Sequence, residues 1–220
     1  MWGDNRRRLL ALGATVAALA FSTQAAASGT ARAAGGCEPV WTDPSGDAYE
    51  ELPYQGAPAF VGFYQSQLDL VSGTVWRSGP DLVVRIHAAG MGPKLPDGFG
   101  GESWESFLQI GSNTIDALAQ YDLTGTQYGF FVNNQGFHPA SGVMVTGADG
   151  YVEIDVPLAG IGSPPDSTPV TPTLARSLEW VDAGVTPQLG VLTAANYGVL
   201  GSDVDHATGG SQTTVGAACP

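Results

Sequence analysis

The stretch LDLVSGTVWRSGPDLVVRIHA, residues 68–88, decides the fold. It contains two runs, Leu68–Arg77 and Asp81–Ala88, on either side of Ser-Gly-Pro. Apolar residues occupy every second position of the second run, which is the alternation of a strand with one buried face. Glycine and proline between two such runs favour a turn, so the stretch predicts an antiparallel β-hairpin.

The same pattern continues along the chain. Short alternating runs between turn signals are typical of an all-β sandwich or barrel. The clearest later hairpin is GVMVTGADGYVEIDVPL, residues 142–158, with Ala-Asp-Gly as its turn. Further strands are predicted in SWESFLQIGSN (103–113), IDALAQYDL (115–123), TQYGFFVNN (126–134), LGVLTAANYGVL (189–200) and SQTTVGAA (211–218). The predicted fold is all-β, a two-sheet antiparallel β-sandwich, jelly-roll-like, with one short helix and long loops.

The one helix is predicted in PTLARSLEWVDAG, residues 172–184. Leu174, Leu178 and Val181 recur there at the spacing of one helical face. We expect this helix to pack over an edge of the sandwich.

The first 27 residues are typical of a secretory signal peptide. Arg6–Arg8 form a positively charged start, Leu9–Phe21 is apolar, and Ala25 and Ala27 stand in small-x-small register. The apolar run is too short for a lasting membrane span. We therefore expect a secreted, extracellular protein, exported by the Sec route or, because an arginine pair precedes the apolar run, by the twin-arginine route.

Cleavage after residue 27, or as late as residue 33, leaves a short flexible lead, residues 28–36, and a single β-sandwich domain, residues 37–220. Without the leader the chain has twenty acidic and five basic side chains, a formal net charge of −15. Such a surface repels phosphates and anionic lipids, so the charge excludes nucleic acid and membrane insertion from the expected partners.

The chain has two cysteines, Cys37 and Cys219, near the two ends of the predicted domain. In an oxidising compartment two such cysteines predict one disulfide that joins the chain ends. In the chain-entropy model a loop of this length contributes about 4 to 5 kcal/mol, less any strain.

Carboxylates are concentrated around one corner of the sequence, CEPVWTDPSGDAYE, residues 37–50. A second acidic pair stands in GSDVDHA, which the disulfide would draw toward the first. Calcium takes six to eight oxygen ligands from irregular loops, so the two stretches suggest a structural calcium site. The alternative is a solvated Asx-turn without a metal. The predicted calcium ligands are Asp43, Asp47, Asp69, Asp203 and Asp205.

Known catalytic motifs are absent from the sequence: it holds no Gly-x-Ser-x-Gly elbow, His-Glu-x-x-His pair or phosphate-binding loop. In YVEIDVPL, Glu153 and Asp155 fall on one strand face, about 7 Å apart. This resembles the start of the Glu-x-Asp-x-x-Glu strand of jelly-roll endoglycanases. The second glutamate, the general acid, is missing, because Pro157 and Leu158 stand there. We therefore expect no enzyme.

The segments DPSGDAY, LDLVSGTVWRSGPDLVVRIHAAGM, GYVEIDVPLAGIG and TTVGAAC resemble a group of uncharacterised secreted proteins of high-GC Gram-positive bacteria. That group is similar to the family-nine carbohydrate-binding modules and the DOMON superfamily. The resemblance implies a two-sheet sandwich that binds sugar or haem, often with structural calcium. It implies Asp43, Asp47 and Asp69 as the polar corner, and it does not identify a sugar-clamping tryptophan pair.

Together these features predict a secreted, non-enzymatic binding module whose leading ligand class is carbohydrate. Planar aromatics stack on sugar faces, so Trp104, Tyr54 and Tyr64, in the long loops, are the candidate ligand contacts. Two alternatives stay open: a glycan-active hydrolase that uses Glu153 and Asp155, and a structural or interaction protein of the envelope. The sequence does not determine the oligomeric state.

Overall fold

The computed structural model describes residues 37–48, 64–92, 99–122, 124–181 and 201–219, and these are nearly all β. Two antiparallel sheets pack together, which confirms the predicted all-β sandwich. The strands are β1 (Trp41–Thr42), β2 (Leu70–Ser78), β3 (Asp81–Ala88), β4 (Phe99–Ile110), β5 (Asn113–Asp122), β6 (Gly125–Val132), β7 (Gln135–Pro139), β8 (Ser141–Val145), β9 (Tyr151–Pro157), β10 (Pro169–Val181), β11 (Gly201–Thr208) and β12 (Thr213–Thr214).

The smaller sheet has the strand order β1-β2-β3-β9-β8. Its centre is the predicted hairpin, in which Ser78 of β2 is opposite Asp81 of β3. The turn needs Gly79, whose φ of 61° lies in the left-handed region that favours glycine. The second predicted hairpin is also present, since β8 pairs with β9 in antiparallel register.

The larger sheet has the order β11-β10-β4-β5-β6-β7, and β12 pairs with β10. Its strands β4, β5 and β6 are consecutive in the chain and follow the predicted runs closely. The turn between β6 and β7 is Asn133-Asn134, both with positive φ, which is the backbone that a two-residue hairpin requires.

The core lies between the two sheets. Alternate residues of each strand point inward, so apolar side chains from both sheets form one cluster. Its largest fully buried members are Trp104, Phe130, Leu68, Leu70, Leu82, Ile86, Met91, Leu108, Ile115 and Ile154.

The predicted helix at residues 172–184 is wrong as far as the structure describes it, because Pro169–Val181 form β10. This strand pairs with β4 on one side and β11 on the other. A spacing of four residues, as between Leu174 and Leu178, fits one face of a helix and equally one face of a strand. The cross-strand hydrogen bonds decide in favour of the strand. Within the described residues, the helical element is a 3₁₀ turn at Leu158–Ile161.

The chain ends are joined as predicted. Cys37 and Cys219 form a disulfide with their Cα atoms 5.1 Å apart, a normal separation for such a bond. Backbone hydrogen bonds continue the closure: Ser211 N donates to Val40 O at 2.6 Å, and Arg77 N donates to Ala217 O at 2.6 Å. The two terminal segments therefore belong to the same edge of the sandwich.

The predicted signal peptide and lead, the candidate Tyr54 and the predicted strand at 189–200 lie outside the described residues. Within the described ranges, no helix has the length and apolar character needed to cross a membrane.

Candidate metal centre

Asp43 is positioned by the short strand β1. Val40 N donates to Gly73 O at 2.8 Å and Asp43 N donates to Val71 O at 2.9 Å, so the chain is fixed on both sides of β1. Gly46 then turns the chain with a φ of 98°, a conformation that favours glycine. This turn lies between Asp43, which is half-buried, and Asp47, which is exposed.

Asp205 comes from β11 of the larger sheet and reaches the smaller sheet. Its Oδ2 accepts a hydrogen bond from Leu70 N, the first residue of β2, at 2.7 Å. Its Oδ1 accepts from His206 N at 2.7 Å. The buried Asp205 carboxylate thus connects the two sheets at their terminal edge.

Asp69 immediately precedes β2 and is fully buried. Its Oδ2 accepts hydrogen bonds from Gly46 N, at 2.8 Å, and from the Tyr64 hydroxyl. Its Oδ1 is also buried, and it has no hydrogen-bond partner in the part of the chain that the structure describes. An anionic oxygen in this condition loses its hydration without compensation.

These aspartates converge, and we call Asp43, Asp47, Asp69 and Asp205 the acidic corner. Ligand atoms of Asp43, Asp47 and Asp205 all lie within 4.8 Å of one another. Asp69 belongs to the group through its hydrogen bond from Gly46 N, between the first two. The structure brings Asp43, Asp47 and Asp205 together and places Asp69 beside Gly46; that any of them binds calcium stays a prediction.

The electrostatics of the acidic corner disfavour the metal-free, fully ionised state. Burial, then the charges of Asp205 and Asp47, raise the pKa of Asp43 to about 6, and His206 opposes the shift. Burial raises the pKa of Asp205 as well, although the hydrogen bonds from Leu70 N and His206 N oppose it. A divalent cation would offset the carboxylate repulsion that adds to the effect of burial on these pKa values.

Asp203, the fifth predicted ligand, lies in β11 opposite Leu178. Its side chain is not among the described ones, so its role as a ligand stays a prediction.

Of the described candidate ligand contacts, one is buried and one is exposed. Trp104 is 0% exposed, and its indole N–H donates to Gln67 O at 2.8 Å. The prediction that it lies in a ligand-facing loop is therefore wrong: it lies in β4 with its side chain in the core. Tyr64 is 43% exposed, and its hydroxyl donates to Asp69 in the acidic corner.

Glu153 and Asp155 lie on the outer face of the smaller sheet, on one strand face as predicted. Glu153 is buried in an ion pair: its Oε2 accepts from Arg85 Nη2 at 2.7 Å and Nε at 3.1 Å. The Arg85 guanidinium also lies 4.8 Å from the Trp76 ring and 4.2 Å from the Tyr151 ring. This arrangement compensates the charge of Glu153 and gives the proposed hydrolase no support.

A second group of charged residues was not predicted from the sequence. It consists of Glu105, Asp116 and Arg176, and we call it the outer-face cluster. Arg176 Nη2 lies 2.7 Å from Glu105 Oε2, and its guanidinium lies 5.1 Å from the Phe107 ring. Burial first, and then the Glu105 charge, raise the pKa of Asp116 well above its ordinary value, while Arg176 opposes the shift. The alternation within β4, β5 and β10 indicates that these side chains lie on a polar face. Which of them contact one another depends on the register of the three strands.

Comparison of the chain with protein-family models, with curated proteins and with solved structures gave no match. The fold and the site together define the class of protein: a disulfide-closed, two-sheet β-sandwich with a convergent group of aspartates at its terminal edge.

Proposed function

We propose that this protein is a secreted, non-enzymatic binding module whose acidic corner holds a calcium ion. The observation that supports the cation most directly is the convergence of Asp43, Asp47 and Asp205 within 4.8 Å. They come from two segments more than 150 residues apart in the chain. A bound cation compensates like charges brought together at this distance and allows all of them to stay ionised.

Calcium is the cation that the donors fit best. All converging ligand atoms are carboxylate oxygens, which suit a hard divalent ion, and the site has neither cysteine nor the regular geometry that zinc sites show. Extracellular modules bind calcium with dissociation constants of about 0.1 to 1 mM, so a partly exposed site is sufficient.

The role of calcium would be structural in the first place. Asp43 follows β1, Asp69 precedes β2 and Asp205 lies in β11, so one ion would hold together the two terminal segments and both sheets. This is the edge that the disulfide closes covalently. Export, which the disulfide and the leader-like first 27 residues support, would bring the chain to a calcium-rich compartment.

The ligand of the module is proposed to be an extracellular glycan. The support consists of the exposed Tyr64 beside the acidic corner and the resemblance to family-nine carbohydrate-binding modules. Trp104 no longer contributes, because it is buried. An envelope interaction protein without a small ligand is the outcome if glycan binding fails.

Calcium titration of the exported protein tests the metal. Thermal unfolding followed in EGTA, in CaCl₂ and in MgCl₂ should give the highest midpoint in CaCl₂. At a calcium concentration of about one hundred times Kd the gain is about 2.7 kcal/mol. Asp47→Asn should remove most of this gain, since Asp47 is exposed and is a ligand candidate rather than a core residue.

The matched control is Asp149→Asn in the exposed turn between β8 and β9, which removes one charge far from the acidic corner in the sheet order. This variant should keep the calcium response. A wild-type midpoint that is the same in CaCl₂ and EGTA would eliminate the metal.

A further inference from the structure

We propose that the acidic corner and the Tyr64 ring form a calcium-dependent subsite for a neutral saccharide, in which two adjacent hydroxyls complete the coordination of the ion. This inference rests on the proposed calcium site and assigns it a ligand-contacting role in addition to the structural one. It starts from the asymmetry of the acidic corner, which is closed on one side and open on the other.

The closed side is formed by the two buried carboxylates. Both oxygens of Asp205 already accept backbone hydrogen bonds, and Asp69 Oδ2 accepts two. Each of these oxygens has at most one further lone pair to offer. Asp69 Oδ1 is buried and lacks a hydrogen-bond partner among the described residues. A nearby cation would compensate the hydration that this oxygen loses on folding.

The donor count leaves the coordination of calcium incomplete. Asp43, Asp47 and Asp205 bring one converging atom each. Calcium takes about six to eight oxygens, so two or more positions remain for oxygens that these side chains do not supply. A sugar presents adjacent hydroxyls that can occupy two such positions together.

The open side is formed by the more exposed carboxylates, and the exposed Tyr64 contacts the acidic corner through its hydroxyl. Asp47 is exposed and Asp43 is half-buried, so the ion would be reachable from this side. Tyr64 is the one large apolar side chain that is strongly exposed in the described ranges. A large exposed aromatic beside polar groups is the usual combination at a sugar-binding surface.

Tyr64 is also oriented by the acidic corner itself. Its hydroxyl donates to the Asp69 oxygen that accepts from Gly46 N, and Gln65 N donates to Ala48 O at 3.1 Å. Both the ring and the backbone beside it are therefore tied to the Asp43–Ala48 segment. A fixed ring loses little entropy on binding, which favours stacking on the apolar face of a sugar.

The charge of the protein selects among saccharides. With a formal net charge of −13 for the whole chain, the surface repels uronic acids and sulfated sugars. The chemistry thus favours neutral polysaccharides with adjacent free hydroxyls.

The test is affinity electrophoresis of the exported protein in gels that contain xylan, galactomannan, mixed-linkage β-glucan or arabinan, each with CaCl₂ or with EGTA. At least one polysaccharide should retard the wild type in CaCl₂ and not in EGTA. Tyr64→Ala should weaken the retardation about ten-fold, the scale of one lost stacking contact. Tyr64→Phe, which keeps the ring, is the matched variant and should retain most of it.

Melting midpoints measured on the same samples separate the two proposals. If calcium raises the midpoint of the wild type and of Tyr64→Ala, but no polysaccharide is bound in a calcium-dependent way, the saccharide subsite is wrong and the calcium site stands. If calcium leaves the midpoint unchanged, both are wrong. Retardation that is equal in EGTA, or unaffected by Tyr64→Ala, overturns the subsite as well.

Discussion

The acidic corner and the outer-face cluster both hold carboxylates close together, but the basic side chains beside those carboxylates differ. Both bring carboxylates together with substantial burial, and in both burial raises a carboxyl pKa. In the outer-face cluster Arg176 lies against Glu105 and supplies a permanent positive charge. In the acidic corner the basic side chain that acts on Asp43 is His206, and its effect on the pKa of Asp43 is smaller than that of burial and of the neighbouring carboxylates.

The arginines explain the difference. The described part of the chain contains Arg77, Arg85 and Arg176, and each forms an ion pair: with Asp166, Glu153 and Glu105, respectively. These arginines are therefore paired with other carboxylates, which agrees with the proposal that the acidic corner takes a cation from solution. A chain with 21 acidic and 8 basic residues cannot pair every acidic group with a basic side chain of its own.

The largest effect is expected when the internal cation of the outer-face cluster is removed. Arg176→Met leaves Glu105 buried beside Asp116 without its guanidinium, which typically costs about 3 to 5 kcal/mol. Urea unfolding at neutral pH measures this loss. The control is Arg77→Met, because the Arg77–Asp166 pair is exposed and such pairs contribute about 1 kcal/mol or less. Similar small losses in both variants would mean that the outer-face cluster does not need its arginine.

A smaller effect, of opposite sign, is expected at Asp116. Its folded-state pKa is raised, so its contribution to stability is full at acid pH and is lost as the pH rises through that pKa. The side chain of the Asp116→Asn variant cannot ionise, so the variant does not lose this stability as the pH rises. The variant should be more stable than the wild type at alkaline pH, and the difference should shrink on acidification. Urea midpoints across the pH range measure it, with Asp149→Asn as the control for a surface charge. Destabilisation by Asp116→Asn at every pH contradicts the expectation.

Most of the fold was predictable because its hairpins are local. Alternation and a Gly-Pro or Asp-Gly turn identify two neighbouring strands without reference to the rest of the chain, as in residues 68–88. The strand β10 was not predictable in this way. Its neighbour β4 is distant in sequence, and its neighbour β11 follows only after a long segment. The spacing of Leu174 and Leu178 alone also fits a helix.

The candidate site was predictable only where an independent constraint joined distant segments. The cysteines brought the acidic pair of β11 toward Asp43, and Asp205 does lie there. Trp104 had no such constraint: whether an aromatic in an alternating run points inward or outward depends on the phase of the strand, and β4 places it in the core. Prediction of the outer-face cluster would have required the register of three strands.

The smallest effect tests the acidic corner without any substitution. Its Asp43 has a folded-state pKa of about 6 against an ordinary value of 3.8. The stability that Asp43 contributes is therefore complete below about pH 4 and is lost as the pH rises through about 6. In EGTA this loss lowers the melting midpoint over that interval. Calcium needs the ionised carboxylate, so the gap between midpoints in CaCl₂ and in EGTA should widen over the same interval.

Asp43→Asn is the control for this experiment, since it removes one titrating group and should reduce both the decline in EGTA and the widening of the gap, while Asp205, whose pKa is also raised, still titrates. A gap that is already complete at about pH 4, well below the folded-state pKa of Asp43, would show that the ion does not depend on Asp43. The calcium response would then come from the other aspartates of the acidic corner, and the role of Asp43 as a ligand would be wrong.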